Sequence, residues 1–199
     1  MIPEHQMSGY NIFGSQRAKE RDDIKKYGYI RQSLPQTQSL LNFKEVSKNQ
    51  FINVSSNPMK EGSRHSIDDI DMAYDFKGVP SYLITQSLGI APSVTFIQGK
   101  GWAGAMQFFA HENIGNCSYR ENNLKLSHGS AIIPEEDVTR EVNGKVTISN
   151  VTGEIHHGFL YSVDWYDQSF FHELKCAKIN YSPDILLEVI ALAKQIDEK

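Results

Sequence analysis

The sequence lacks a long apolar run, a strong net charge and a recognisable catalytic motif. No segment has 18 consecutive apolar residues, so we expect no direct membrane span. The formal net charge is −4, whereas general nucleic-acid-binding proteins are strongly basic and carry a basic stripe. We therefore expect no nucleic-acid partner. These absences leave an ordinary globular chain of 199 residues, long enough to fold without a structural metal.

Motifs for phosphate, metal and nucleophile chemistry are also missing. The glycine-rich stretch 99–104 lacks the G-x-x-x-x-G-K-[ST] order of a phosphate loop. The seven histidines show neither H-x-H nor H-E-x-x-H spacing, and no G-x-S-x-G marks a nucleophilic serine. The sequence thus predicts no cofactor and no metal site, and it favours a binding protein over an enzyme.

Cysteine is scarce, and its two copies pose the sharpest structural question. Cys117 and Cys176 are 59 positions apart, each in a predicted strand of the same sheet. They are a disulfide candidate, with two buried reduced thiols as the main alternative. A catalytic thiol is disfavoured, because the neighbouring Glu112 and Glu121 would oppose formation of a thiolate.

A disulfide would place the protein in an oxidising compartment. Residues 1–5 show no basic segment followed by an apolar one, so no export signal is visible. Either the protein is cytoplasmic, or Met1 replaces a removed signal or lipoprotein leader that would provide a membrane tether. We favour a periplasmic or extracellular protein, with a cytoplasmic one as the alternative.

Charge is divided unevenly along the chain. Residues 1–66 carry ten basic and six acidic side chains, whereas residues 67–199 carry ten basic and eighteen acidic ones. The first part is polar and its apolar residues are scattered, so it has little apolar surface to offset the entropy of ordering. We predict a basic, weakly structured arm at 1–66, with a short helix near 15–26 and strand-like residues at 50–54. An acidic α+β domain follows at 67–199.

Residues 67–199 show the alternation of an antiparallel meander sheet of about seven strands. Residues 79–88, with Pro80 near the start and Gly89 after the end, predict a short helix before the sheet. Asn143-Gly144 is a strong hairpin signal. Ser182-Pro183-Asp184 opens a C-terminal helix whose apolar stripe predicts packing on one sheet face. The clearest predicted strands are 94–98, 105–114, 117–126, 159–166 and 170–179.

Candidate catalytic residues are few and weak: His111, Glu112, His172 and Asp164. His172 falls on an apolar face of its strand, so it needs a hydrogen-bond partner if it is buried. Asp164 or Tyr166 on the neighbouring strand is the expected partner. Such a pair would be structural first and a catalytic dyad second.

Aromatic side chains lie on both faces of the hairpin 159–179, and one helix cannot cover both. The remaining face would present Tyr166 and Phe171 as a ligand groove or a protein contact. The arm offers a second candidate binding surface through its basic residues: Arg17, Arg21, Lys25 and Lys26.

The sequence therefore predicts a non-catalytic binding or assembly protein, exported or of the cell envelope, whose partner is a protein. One alternative is a small hydrolase-like or metal-dependent enzyme with a histidine/carboxylate site. Another is a secreted effector or inhibitor of a foreign protein. No pattern in the sequence identifies the partner or the oligomeric state.

Overall fold

The computed structural model describes residues 1, 10–43 and 70–198, which form a seven-stranded sheet with helices against it. The first elements are α1 (Tyr10–Tyr27), β1 (Ile30–Arg31) and α2 (Pro35–Leu41). The main strands and the last helix are β2 (Gln86–Ile97), β3 (Gly101–His111), β4 (Gly115–Asn123), β5 (Val146–Glu154), β6 (Gly158–Tyr166), β7 (Phe170–Lys178) and α3 (Pro183–Asp197). The predicted α+β class is confirmed.

Two three-stranded meanders make up most of the sheet. The strand order is β1-β5-β6-β7-β4-β3-β2, and every pair is antiparallel except β1 with β5. Strands β2–β4 form one meander and β5–β7 the other, so the pairing of β4 with β7 joins them. The predicted alternation identified the sheet, and this long-range pairing sets its order.

The C-terminal helix forms where the sequence predicts it and covers one face of the sheet. The hydroxyl of Ser182 accepts a hydrogen bond from the Asp184 backbone N–H, and Pro183 occupies the first turn. The buried side of α3 packs into a core with apolar residues of β4, β6 and β7. That buried side consists of Val189, Ile190, Leu192, Ala193 and Ile196. Each such large aliphatic side chain stabilises the fold by about 1.5–3 kcal/mol.

The short helix before the sheet is confirmed, but it is much shorter than residues 79–88. It is a single 3-10 turn at Ser81–Leu83, and β2 begins already at Gln86. Gly89 has a φ of +102° and lies at a register shift between β2 and β3. The glycine that resembles a helix terminator is therefore part of a β-bulge.

The Asn143-Gly144 turn forms with φ of +46° and +76°, as the hairpin signal requires. The Val142 carbonyl accepts a hydrogen bond from the Lys145 backbone N–H at 2.8 Å. Strand β5 follows this turn, but residues 138–142 are not a strand. Instead, Val142 is fully buried in the core under α3.

Residues 10–43 pack against the sheet rather than away from it. The helix predicted near 15–26 lies within α1, and β1 adds a parallel strand beside β5. Tyr29 packs on Phe159 at 4.9 Å between ring centroids, and Leu40 of α2 packs on Leu160. The strand-like residues 50–54 and the boundary at 66/67 lie outside the described residues, so that division of the chain stays a prediction.

The disulfide candidate is confirmed by the geometry of the two cysteines. Cys117 of β4 faces Cys176 of β7 in register, the two sulfurs are 2.10 Å apart, and both residues are fully buried. The bond therefore crosses the pairing that joins the two meanders. In the described parts of the chain, no helix is both long and apolar enough to cross a membrane.

We expect reduction of Cys117–Cys176 to lower the free energy of unfolding by up to about 4 kcal/mol, because the bond closes a long loop in the unfolded chain. Urea unfolding of the oxidised and the reduced chain would measure this difference without changing any side-chain volume. Thiol titration of the denatured chain is the control, and two free thiols before reduction would contradict the bond.

Candidate functional site

Two polar clusters lie on opposite faces of the strands β4, β7 and β6. Successive side chains of a strand point to opposite faces, so His172 and Glu173 of β7 belong to different clusters. We call the side packed against α3 the helix face and the other side the far face. The far face is defined by Ser162, Asp164 and Tyr166 of β6, Phe171, Glu173 and Lys175 of β7, and Arg120 of β4.

The helix-face cluster is built around His172. Its Nδ1 lies 2.8 Å from the hydroxyl of Tyr119, which also donates to Oε2 of Glu121 at 2.8 Å. All three residues are buried, and His172 stacks on Trp165 with ring centroids 4.9 Å apart. Burial, followed by the charge of Glu121, raises the pKa of the Tyr119 hydroxyl well above its usual value, so this hydroxyl stays protonated.

The other ring nitrogen of His172 faces Asp167 in the β6–β7 turn, with Nε2 and Oδ2 3.5 Å apart. Burial lowers the pKa of His172, and Asp167 offsets part of this effect. Burial alone would raise the pKa of Asp167, but hydrogen bonds from the Ser169 and Phe170 backbone N–H groups hold it below its usual value. At neutral pH the imidazole is thus neutral beside an ionised carboxylate.

The same cluster continues to α3. Nε1 of Trp165 donates to Oδ1 of Asp197 at 2.9 Å, and the Lys145 ammonium lies between Asp197 and Asp167. His172 thus belongs to a network that joins one end of the sheet to the last turn of the helix. The arrangement is what a buried polar group needs for stability.

The expected partners of His172 lie elsewhere. His172 pairs in register with Trp165, so the flanking Asp164 and Tyr166 point to the far face. The partners that the structure provides are Tyr119 and Asp167. The β4 sequence Glu121-Asn122-Asn123 resembles a turn, which is why sequence reasoning missed the cluster members from this strand.

The candidate catalytic residues do not come together. His111 ends β3 opposite Gly115, whereas His172 pairs with Glu121, six residues further along β4. The two histidines are therefore about 20 Å apart along the strand direction. Nδ1 of His111 accepts from the Asn113 backbone N–H at 3.3 Å, and the adjoining Glu112 is exposed. Within the described ranges, no group of three or more His, Cys, Asp or Glu residues could hold a metal ion.

The far-face cluster is a row of charges across three strands. Arg120, Glu173 and Asp164 are neighbours in register on β4, β7 and β6. The buried Glu173 carboxylate accepts from Arg120 Nη2 at 2.9 Å and from Lys175 Nζ at 2.7 Å. Both cations are therefore committed to the same carboxylate.

Two atoms in this row have no hydrogen-bond partner. Oδ1 of Asp164 and Nε of Arg120 are both buried and unbonded. Burial and the adjacent charge of Glu173 raise the pKa of Asp164 to about 7, although Lys175 and Arg120 oppose the shift. Each such buried, unbonded polar group costs about 1–3 kcal/mol, so the row is not optimised for stability.

Aromatic rings adjoin the charged row. Tyr166 and Phe171 stack with centroids 4.9 Å apart, and the Arg120 guanidinium lies 5.2 Å from the centre of the Phe171 ring. These three residues are half-buried. The far face thus carries an aromatic pair and an arginine together. Tyr and Arg are among the residue types most enriched at the energetic centres of protein interfaces, and Phe is enriched at interfaces generally.

The basic residues of α1 are only partly available. Nη1 of Arg17 forms an ion pair with Oδ2 of Asp137 at 2.6 Å, and Arg21 lies in the same cleft. Lys25 and Lys26 are exposed at the end of the helix. Part of the basic character of α1 is therefore used against an acidic turn of the same chain.

Comparison of the chain with protein-family models, curated proteins and solved structures finds no match.

We expect Tyr119→Phe to lower the free energy of unfolding by about 1–3 kcal/mol, because the hydroxyl bonds both Glu121 and His172 in a buried site. Urea denaturation at pH 7 would measure the change. Tyr82→Phe is the matched control, since Tyr82 is 81% exposed. Equal stability of the two variants would contradict a structural role for this cluster.

We expect Asp164→Asn to stabilise the protein at pH 8 and to have little effect at pH 4. The folded pKa of Asp164 is about 7, above the usual value of 3.8, so the folded state binds more protons than the unfolded chain between these values. Stability is therefore lost as pH rises through this window, and Asn removes that loss, about 1–4 kcal/mol.

Urea denaturation at the two pH values would test this expectation. Asp75→Asn is the control, because the Asp75 side chain is 78% exposed. A pH-independent difference between Asp164→Asn and the unchanged chain would show that Asp164 ionises as an ordinary carboxyl.

Proposed function

We propose that this chain is a non-catalytic binding protein that recognises a protein partner through the far face of its sheet. The observation that carries the proposal is the stacked pair of Tyr166 and Phe171 with Arg120 against it, on the face opposite α3. Rigid aromatic side chains bury a large area at a small cost in conformational entropy.

The charged row beside these rings supports the same function. The unbonded atoms of Asp164 and Arg120 lower the stability of the free protein without serving the core. Buried unbonded groups are often found at functional sites, where function and stability compete. The helix-face cluster offers the contrast, because its ring and carboxyl groups bond one another.

The buried disulfide supports an exported or periplasmic location, because such bonds persist in oxidising compartments. In that setting, the exposed Lys25 and Lys26 of α1 would provide a secondary, salt-sensitive contact with an acidic partner. The far face remains the main recognition surface, since Arg17 of α1 is already paired with Asp137 of the same chain.

Affinity capture from the native source with the unchanged chain and with a Tyr166→Ala/Phe171→Ala variant tests the proposal. We expect the unchanged chain to retain a specific protein and the double variant to bind it at least tenfold more weakly. Tyr82→Ala is the matched control, because Tyr82 is an exposed aromatic residue in the 3-10 turn before β2 and not on the far face. It should bind the partner normally.

Circular dichroism would verify that each variant is folded. Capture of the same protein by the double variant would contradict the far face as the binding surface. Turnover in a broad substrate screen, together with no capture, would contradict the non-catalytic role.

A further inference from the structure

The two unbonded atoms of the far face are of opposite kinds. Oδ1 of Asp164 accepts hydrogen bonds, and Nε of Arg120 donates one. They lie on β6 and β4, on either side of Glu173 in β7. A ligand that bonds both must therefore offer a donor and an acceptor together.

The net charge of the row narrows the chemistry of that ligand. Asp164 and Glu173 carry two negative charges, and Arg120 and Lys175 carry two positive ones. Because the row is neutral when Asp164 is ionised, a cation would leave it with a net charge. A cation would also leave Nε of Arg120 without an acceptor. An amide is uncharged and presents one N–H side and one C=O side, so it matches both atoms.

A ligand that bonds both atoms must cross strand β7. Strands β4 and β6 are about 10 Å apart across β7. The Arg120 side chain reaches toward β7, because its Nη2 is 2.9 Å from Oε2 of Glu173. Both atoms are buried, and the Phe171 ring lies 5.2 Å from the guanidinium carbon, so side chains must shift for a ligand to reach them. Side-chain changes of this kind are common when interfaces form.

Building on the proposed function, we infer that the protein partner places an amide group across Glu173, from an Asn or Gln side chain or from an extended main chain. The amide N–H donates to the Asp164 carboxylate, and its C=O accepts from Arg120 Nε. The rings of Tyr166 and Phe171 hold the neighbouring residues of the same segment.

A random dodecapeptide library displayed on phage is the probe, selected at pH 8 so that Asp164 is ionised. Selection uses the unchanged chain, and the Tyr166→Ala/Phe171→Ala variant removes peptides that bind elsewhere. We expect the remaining peptides to share an Asn or Gln, or to share no side chain and bind through the main chain.

Three substitutions then separate an amide from a cation, with affinities measured by titration calorimetry. Arg120→Lys keeps the positive charge at Glu173 but removes Nε, and should weaken binding about tenfold. Asp164→Ala should weaken binding to a similar extent. Asp164→Asn keeps an acceptor oxygen while losing the charge, and should stay within about threefold of the unchanged chain. Circular dichroism would check that all three are folded.

Three outcomes would overturn different parts of this inference. Peptides that depend on Lys or Arg and lose binding with Asp164→Asn would overturn the amide in favour of a cation. Peptides that tolerate both Arg120→Lys and Asp164→Ala would overturn the role of the charged row while leaving the aromatic surface intact. If no peptide requires Tyr166 and Phe171, the far face is not a recognition surface and the proposed function fails together with this inference.

Discussion

The pairing of β4 with β7 is the constraint on which the rest of the structure depends. It joins two meanders that are far apart in the chain, and the buried Cys117–Cys176 bond crosses it. Side chains alternate along a strand, so a slip of one residue would exchange the two faces. The register therefore decides which polar residues are covered by α3 and which are presented on the other side.

Both faces carry buried polar and charged residues, but these residues are arranged differently. On the helix face, the Tyr119 hydroxyl bonds Glu121 and His172, Asp167 lies 3.5 Å from the other ring nitrogen of His172, and Trp165 donates to Asp197 of α3. On the far face, Glu173 takes both available cations, and Asp164 is left beside a second carboxylate. The first arrangement ties the helix to the sheet, whereas the second raises the pKa of a carboxyl group and leaves it unbonded.

Local patterns in the sequence predicted the helix and strands whose buried side chains recur at a regular spacing. The cap and apolar stripe of α3 and the strict alternation of β6 and β7 were sufficient, because each reports a single periodic surface. The sequence did not predict that the polar end of β4 belongs to a strand, since Glu121 and its neighbours resemble a turn. Only pairing with β7, 47 to 51 positions later in the chain, makes their burial favourable. Gly89 was interpreted as a helix terminator for a related reason, because a glycine with positive φ occurs in β-bulges as well as at helix ends.

The same limit applies to the candidate site. Parity placed Tyr166 and Phe171 together on the side away from α3, and the structure stacks them there. The register between β6 and β7 puts Asp164 on the face of Tyr166 and His172 on the opposite one, so the expected pairing of His172 with Asp164 or Tyr166 does not form. Once that register is known, the histidine is an internal support and the aspartate lies on the far face. A site assembled from both would need the sheet to bring opposite faces together, so His172 and Asp164 do not form one catalytic dyad.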